Sequence, residues 1–308
     1  MYNTTTTTNQ IKRKKKHNYK RTIFIILMLA IPVTHFALFW VYVNFNSILM
    51  AFQIRDGYGI HWGFDNFARF FHEVKIPELD LGIAIKNTLL LFLVGTVIGM
   101  PVTLLLSYFL FKKIKGYKVF RVVFFLPSII SAAVLVAMFK YLFRMDGPVN
   151  NLLSMFFGKT IDNEWLVDDK LAMGTILFYC FWTGFGGGLV LFTGAMHRIP
   201  EEVLEYCVLD GVSPVRELFQ IIVPMIWPTI STQLVFAFAG LFVNAGPILL
   251  FTEGQYKTMT IGYFILQEVR NGSYEYPSAI GLLFSVLGFP LVIFVKWICS
   301  RIFEDVEY

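Results

Sequence analysis

The stretch His197–Pro228, HRIPEEVLEYCVLDGVSPVRELFQIIVPMIWP, spells out two short helices hinged on a glycine. Pro200 stands where a helix begins, and Glu201 and Glu202 place negative charge in its first turn, where unpaired backbone N–H groups favour anions. That helix is expected to stop at Asp210 and Gly211, because glycine tolerates the left-handed backbone that closes a helix. Ser213 followed by Pro214 then reads as a fresh N-cap and first helical residue. Leu204, Leu209, Val212 and Leu218 are too many apolar residues for a solvated loop, so the elbow is expected to pack against the rest of this chain or another protein.

Composition sets the surroundings of that elbow. Of 308 residues, 56% are hydrophobic and only 15% charged, and the mean hydropathy is +0.63, the balance of an integral membrane protein. Crossing ~30 Å of hydrocarbon takes roughly 20 helical residues. Six stretches qualify: about Thr22 to Val43, Asn87 to Phe111, Val122 to Phe139, Leu171 to Met196, Thr229 to Leu250 and Tyr276 to Val295. The expected fold is all-α and polytopic, with the elbow between the fourth and fifth spans.

Lys12, Arg13, Lys14, Lys15, Lys16, Lys20 and Arg21 precede the first span, which reads as a retained signal anchor. With the N-terminus inside, 16 of the 26 basic residues and 8 of the 21 acidic ones fall on the cytoplasmic side, as the positive-inside rule asks. Both termini and the elbow are then cytoplasmic. The net charge of +5 needs no nucleic acid, since the basic residues cluster beside spans where they meet anionic lipid.

Several chemistries are excluded or weakened. Cys180, Cys207 and Cys299 have no metal-type spacing and do not suggest a disulfide. The Thr4–Thr8 run is too polar to pack and is expected to be disordered, and Asn3 and Asn271 match a glycosylation pattern that short sequences meet by chance. The expected spans hold no Asp, Glu, Lys or Arg in their interiors, which speaks against ion coupling through side chains. His35 is the one titratable exception, read as packing or hydrogen bonding within its own helix. No GxxxxGK[ST] loop is present, so energy for transport would come from a partner.

The segment Trp182–Pro224 resembles the membrane subunits of binding-protein-dependent ABC importers, in the carbohydrate-uptake branch related to maltose and multiple-sugar permeases. That family's cytoplasmic loop runs Glu-Ala-Ala, three residues, Gly, then about nine more before Ile-x-Leu-Pro. Glu205, Gly211, Ile222 and Pro224 occupy its Glu, Gly, Ile and Pro places, with Asp210 before the glycine. GFDNFARFF at Gly63–Phe71, DGPVNNLL at Asp146–Leu153, WLVDDKLAM at Trp165–Met173 and YPSAIG at Tyr276–Gly281 extend the resemblance over most of the chain. The alanine pair is replaced by Tyr206 and Cys207, which adds volume where close packing is expected.

The resemblance implies a division into a disordered basic N-terminus at 1–21, a first transmembrane helix at 22–43, an outer loop with an interfacial helix at 44–86, a five-helix permease core at 87–300 and a cytoplasmic tail at 301–308. Within the core, the elbow 197–224 would be the coupling helix. Glu201, Glu202, Leu204, Glu205, Leu209, Asp210, Gly211 and Val212 would engage a cytosolic ABC ATPase dimer, which itself binds ATP and Mg. A second homologous permease subunit, an extracytoplasmic solute-binding protein, a carbohydrate substrate and the bilayer of a bacterial plasma membrane complete the implied setting. This chain would carry no cofactor and no catalysis.

Beyond the elbow the residues leave alternatives open. Gly184, Gly186, Gly187 and Gly188 let another helix approach or loosen the backbone. Trp182 and Thr183 precede them, and the indole suits either stacking on a sugar or the membrane interface. Gln233, Ala237, Gly240 and Asn244 form one small and polar stripe along a helix, facing either a translocation path or a neighbouring subunit. Phe64, Phe67, Phe70, Phe71 and Val74 share a helical face in the first outer loop, expected at the interface. Thr252-Glu-Gly-Gln departs from the family's Thr-x-Gly-Gly-Pro. Rival functions are an ABC permease for another polar solute such as glycerol phosphate, which would want basic residues on the path, and a secondary carrier or channel.

Overall fold

The computed structural model describes residues 19–56, 59–76 and 80–303. The basic run Lys12–Lys16, the Thr4–Thr8 tract and the tail after Phe303 lie outside these. The chain divides into a unit that ends at Leu49 and a larger unit from Met50 onward.

Helix α1 spans Tyr19–Ala51, so Lys20 and Arg21, expected in a disordered segment, are its first turn, and it runs past Val43. Pro32 has no N–H to give, and a few residues on the helix widens to π geometry over Phe36–Tyr42. Asn44 Nδ2 and Ser47 Oγ donate back to the carbonyls of Trp40 and Val43. The His35 ring lies 4.8 Å from that of Phe39 on the same helix.

The larger unit opens with a hairpin that period-3.6 reasoning did not anticipate. Strands β1 (Gln53–Asp56) and β2 (Gly59–Trp62) pair antiparallel, Gln53 opposite Trp62 and Ile54 opposite His61. Buried Asn66 holds the turn back to the chain, its Nδ2 donating to the carbonyls of Ala51 and Gln53. Helix α2 (Asp65–Glu73) follows. Phe70 points into the core, edge-on to Phe284 at 5.7 Å, while Phe64 and Phe71 are exposed, so the aromatic face is divided between core and surface.

Helix α3 (Asp80–Phe111) starts a turn or two before the expected span and contains a π segment at Leu93–Gly99. Helices α4 (Tyr117–Ile129) and α5 (Ala132–Leu142) meet at 107°. The expected span Val122 to Phe139 is therefore broken. Pro127 cannot donate, Ser128 Oγ takes the Phe125 carbonyl at 2.7 Å, and Ile130 and Ser131 are extended.

After α6 (Pro148–Phe157), buried Asn150 organises the following loop. Its Nδ2 donates to the carbonyls of Met145 and Asn163, and its Oδ1 accepts from Trp165 Nε1 at 2.7 Å. Helix α7 covers Ala172–Met196. A Cβ on Gly186 would stand 2.5 Å from Ser128, and one on Gly188 2.7 Å from Thr103, so those two glycines let α4 and α3 pack against α7.

Helix α8 (Glu201–Leu209) and helix α9 (Pro214–Met225) form the elbow, and α9 meets α10 (Trp227–Ala239) at 74°. The span expected from Thr229 to Leu250 ends instead at Gly240 and resumes as the short α11 (Ile248–Phe251). Asn244 Oδ1 accepts from Gly246 N at 2.8 Å, Gly246 sits at φ +60, and Pro247 disfavours helical backbone just before it. Helices α12 (Ile261–Arg270) and α13 (Glu275–Ile302) complete the chain.

Among the described residues, α1, α3, α7 and α13 can cross a membrane by length and composition, and the two bent pairs raise the number of crossings to as many as six. The 28 residues of α13 run ~40 Å at 1.5 Å per residue. At its start Tyr276 OH donates to Glu73 of α2. Near its finish the Cys299 carbonyl accepts from Trp227 Nε1. The hairpin and the elbow are thus at opposite ends of the larger unit. One apolar core, around Ile176, Ile248, Ile261 and Ile280, serves the hairpin end. A second, around Tyr108, Phe192, Met196, Leu218 and Ile222, lies under the elbow.

Candidate functional site

Two places in the larger unit bring sequence-selected residues together. The first is the elbow. Pro200 supplies the extended residue before α8, and Glu201 and Glu202 occupy the exposed first turn. At the far end Gly211 N donates to the Val208 carbonyl at 3.2 Å and Val212 N to that of Cys207 at 2.9 Å, with Gly211 at φ +64. This pair of bonds with a left-handed glycine is the Schellman closure, which satisfies carbonyls that a helix end leaves free. Ser213 is extended and Pro214 opens α9, but the Ser213 side chain makes no capping bond; its carbonyl accepts from Glu217 N instead.

Burial splits the elbow into two faces. Cys207 is buried, and Leu218 and Ile222 sit in the core beneath, with Leu204 and Val212 half-buried. The outer face carries Tyr206 (67% exposed), Val208 (74%), Leu209 (80%) and Val215 (68%), beside exposed Glu205 and Asp210. Of the two side chains that replace the alanines, Tyr206 therefore adds its bulk outside, and only Cys207 takes an inner packing place. Each large apolar side chain left in water forgoes ~1.5–3 kcal/mol that burial would return. Exposed apolar rows of this kind are a pattern that marks surfaces meeting another molecule.

The second place is a pair of adjoining hollows between α3, α7 and α10. One, about 350 Å³, is lined by Thr96, Gly99, Gly184, Gly188 and Gln233. The other, about 270 Å³, is lined by Thr88, Thr96, Gly240 and Asn244. Gly95, Thr96, Phe236 and Ala237 belong to both. Among the described residues, none that lines either hollow is charged. Gln233, Gly240 and Asn244 are thus on one wall. Trp182 and Thr183 are not: Trp182 stacks on Phe139 in the core at 6.4 Å, and Thr183 Oγ1 donates to the Tyr179 carbonyl at 2.9 Å. A tryptophan next to small residues looks the same in sequence whether its ring turns to core or cavity. Gly95 and Thr96 were missed, although Gly95 and Gly99 make a GxxxG spacing that marks a close approach in a span.

Also missed was Glu217 of α9, 5% exposed. Its Oε2 accepts from Tyr108 OH at 3.0 Å, and Lys112 Nζ stands 2.6 Å from Oε1, an ion pair outside hydrogen-bond angles. No local signal separates this glutamate from an exposed one, because its partners Tyr108 and Lys112 lie in the last turn of α3 and just after it, more than a hundred residues earlier.

Residues 95–304 match the family described as binding-protein-dependent transport system inner membrane component. The maltose/maltodextrin transport system permease protein MalF of Klebsiella aerogenes is 27% identical over 206 residues, which cover 66% of this chain and 39% of that protein. The chain therefore spans well under half the length of that relative. Protein LplB of Bacillus subtilis (strain 168) is 26% identical over 293 residues, 91% of this chain and 90% of that one. A chain of the bacterial alginate ABC transporter, solved with its alginate pentasaccharide-bound periplasmic protein, superposes with a TM-score of 0.79 at 25% identity, covering 94% of this chain and 98% of that chain.

Proposed function

From the chain's membership of the binding-protein-dependent transport inner membrane family, we infer that it is one permease subunit of an ATP-driven importer of sugars or oligosaccharides. A second, similar permease completes the path, a cytosolic ABC ATPase dimer binds ATP and Mg, and an extracytoplasmic binding protein delivers the cargo. The chain is embedded in the membrane, with its termini and elbow on the cytosolic side. The observation that carries this reading is the outer face of α8, where Tyr206, Val208 and Leu209 stand open beside Glu201, Glu202, Glu205 and Asp210. A groove on the ATPase would cover these residues, and Gly211 would let the stiff helix turn as a lever.

The hollows support polar, uncharged cargo. Gln233, Asn244, Thr88 and Thr96 offer donors and acceptors suited to hydroxyl groups, with no fixed charge to hold an ion. Glycerol phosphate would want basic residues there, and their absence from either lining disfavours it.

Affinity purification of the chain from its native membrane should retain a second permease and an ATPase, and vesicles of that assembly should take up a neutral maltodextrin only with ATP inside the ATPase compartment. Gly211→Val forces a β-branched residue to φ +64, roughly 1–2 kcal/mol of strain, and should lower that uptake at least about fivefold while the subunits stay together. Isolation of the chain without any ATPase, or uptake driven by an ion gradient alone, overturns the reading.

A further inference from the structure

We propose that Glu217 is a positioning residue for transport. Its buried carboxylate, held by Tyr108 and Lys112, latches the elbow to the helix that walls the hollow, so that a displacement of the elbow moves that wall. The proposal rests on the importer reading above and names the residue through which the lever would act.

The latch and the wall are on one helix. Tyr108 is in the last turn of α3, and Lys112 immediately follows it. Gly95 and Thr96, which line both hollows, lie earlier on the same helix, ~18 Å away at 1.5 Å per residue. Thr103, between them, is pressed against Gly188 of α7, which lines the first hollow too. Glu217 sits on the other side of the Gly211 hinge from α8, at the start of α9. A push on α8 would therefore reach α9, cross to α3 through the carboxylate, and travel along a packed helix.

Packing alone does not call for a charge here. Leu218 and Ile222 already fill the apolar cluster beside it, and an apolar residue of similar volume commonly replaces a buried ion pair without loss of stability. What a carboxylate between a hydroxyl and an ammonium supplies is a fixed register between two elements.

The test uses the full assembly in nanodiscs. Cys180, Cys207 and Cys299 are replaced by alanine, and a single reporter is introduced as Thr96→Cys. N-ethylmaleimide labelling of that reporter is timed without nucleotide and after trapping with ATP and vanadate. The reference chain should label at different rates in the two states. Glu217→Gln, which keeps the shape and the acceptor for Tyr108 but removes the charge, should shrink that difference by roughly 2- to 30-fold with the ATPase still bound. Lys112→Ala should do the same, and the pair of changes together should be no worse than the more damaging single change. An undiminished difference in Glu217→Gln, or independent, multiplying effects of the two substitutions, overturns the latch. Loss of the nucleotide response in the reference chain itself would instead count against the importer reading.

Discussion

The two ends of α13 are finished in opposite ways. At the hairpin end the chain is tied to itself by many polar bonds. Arg55 pairs with Glu275 at 3.1 Å, Arg69 with Glu73 at 2.7 Å, and the Arg69 guanidinium lies 3.9 Å over the Tyr276 ring, whose hydroxyl donates to Glu73. Asn87 of α3 donates to the carbonyls of Lys257 and Met259, and Lys257 pairs with Asp169 at 3.0 Å. At the elbow end Glu217 is tied inward to Tyr108 and Lys112, and Trp227 Nε1 donates to the Cys299 carbonyl, while a row of apolar side chains faces out. Cross-links at the first end fix a shape made by the chain alone. The second end leaves Tyr206, Val208, Leu209 and Val215 uncovered by the rest of the chain.

The sharpest way to break this contrast is to remove the open apolar face. Tyr206→Ala with Leu209→Ala should leave thermal unfolding of the isolated chain unchanged within about 0.5 kcal/mol, yet weaken capture of the ATPase by at least about 2 kcal/mol, some thirtyfold. A chain that unfolds early but binds normally would mean that the face serves the fold. Next comes Asn87→Ala at the hairpin end, which strands two carbonyls and should cost roughly 1–3 kcal/mol in thermal unfolding, with ATPase capture intact. The smallest effect belongs to Arg55→Ala. Its side chain is 65% exposed, so the pair with Glu275 should contribute less than about 1 kcal/mol, and that contribution should vanish in high salt, which a salt titration of the melting temperature would detect.

How much could be read in advance differs between these regions for a physical reason. The ends of α8 were legible because Pro200, Glu201 and Glu202 act on the first turn and Gly211 on the last, all within a few residues of the backbone they govern. The span Val122 to Phe139 reads as unbroken in the sequence, although Pro127 lies within it and cannot donate a backbone N–H. The 107° turn between α4 and α5 has no local signal, and Ser128 beside it packs against Gly186 of α7, far along the chain. The stripe Gln233, Gly240 and Asn244 reached one wall even though the helix stops at Gly240, because the loop folds Asn244 back toward the same hollow. Trp182 went the other way, into the core against Phe139.

Apolar run length and the local chemistry of proline, acid and glycine determined from the sequence alone that this chain is helical, membrane-embedded and bent at Gly211, since those forces act on neighbours along the backbone. Only the tertiary structure decided that Glu217 is buried while Leu209 is bare, and that Thr96 rather than Trp182 faces the hollow. Burial of a side chain is settled by residues far away in the chain, and their approach is not written in any short window of it.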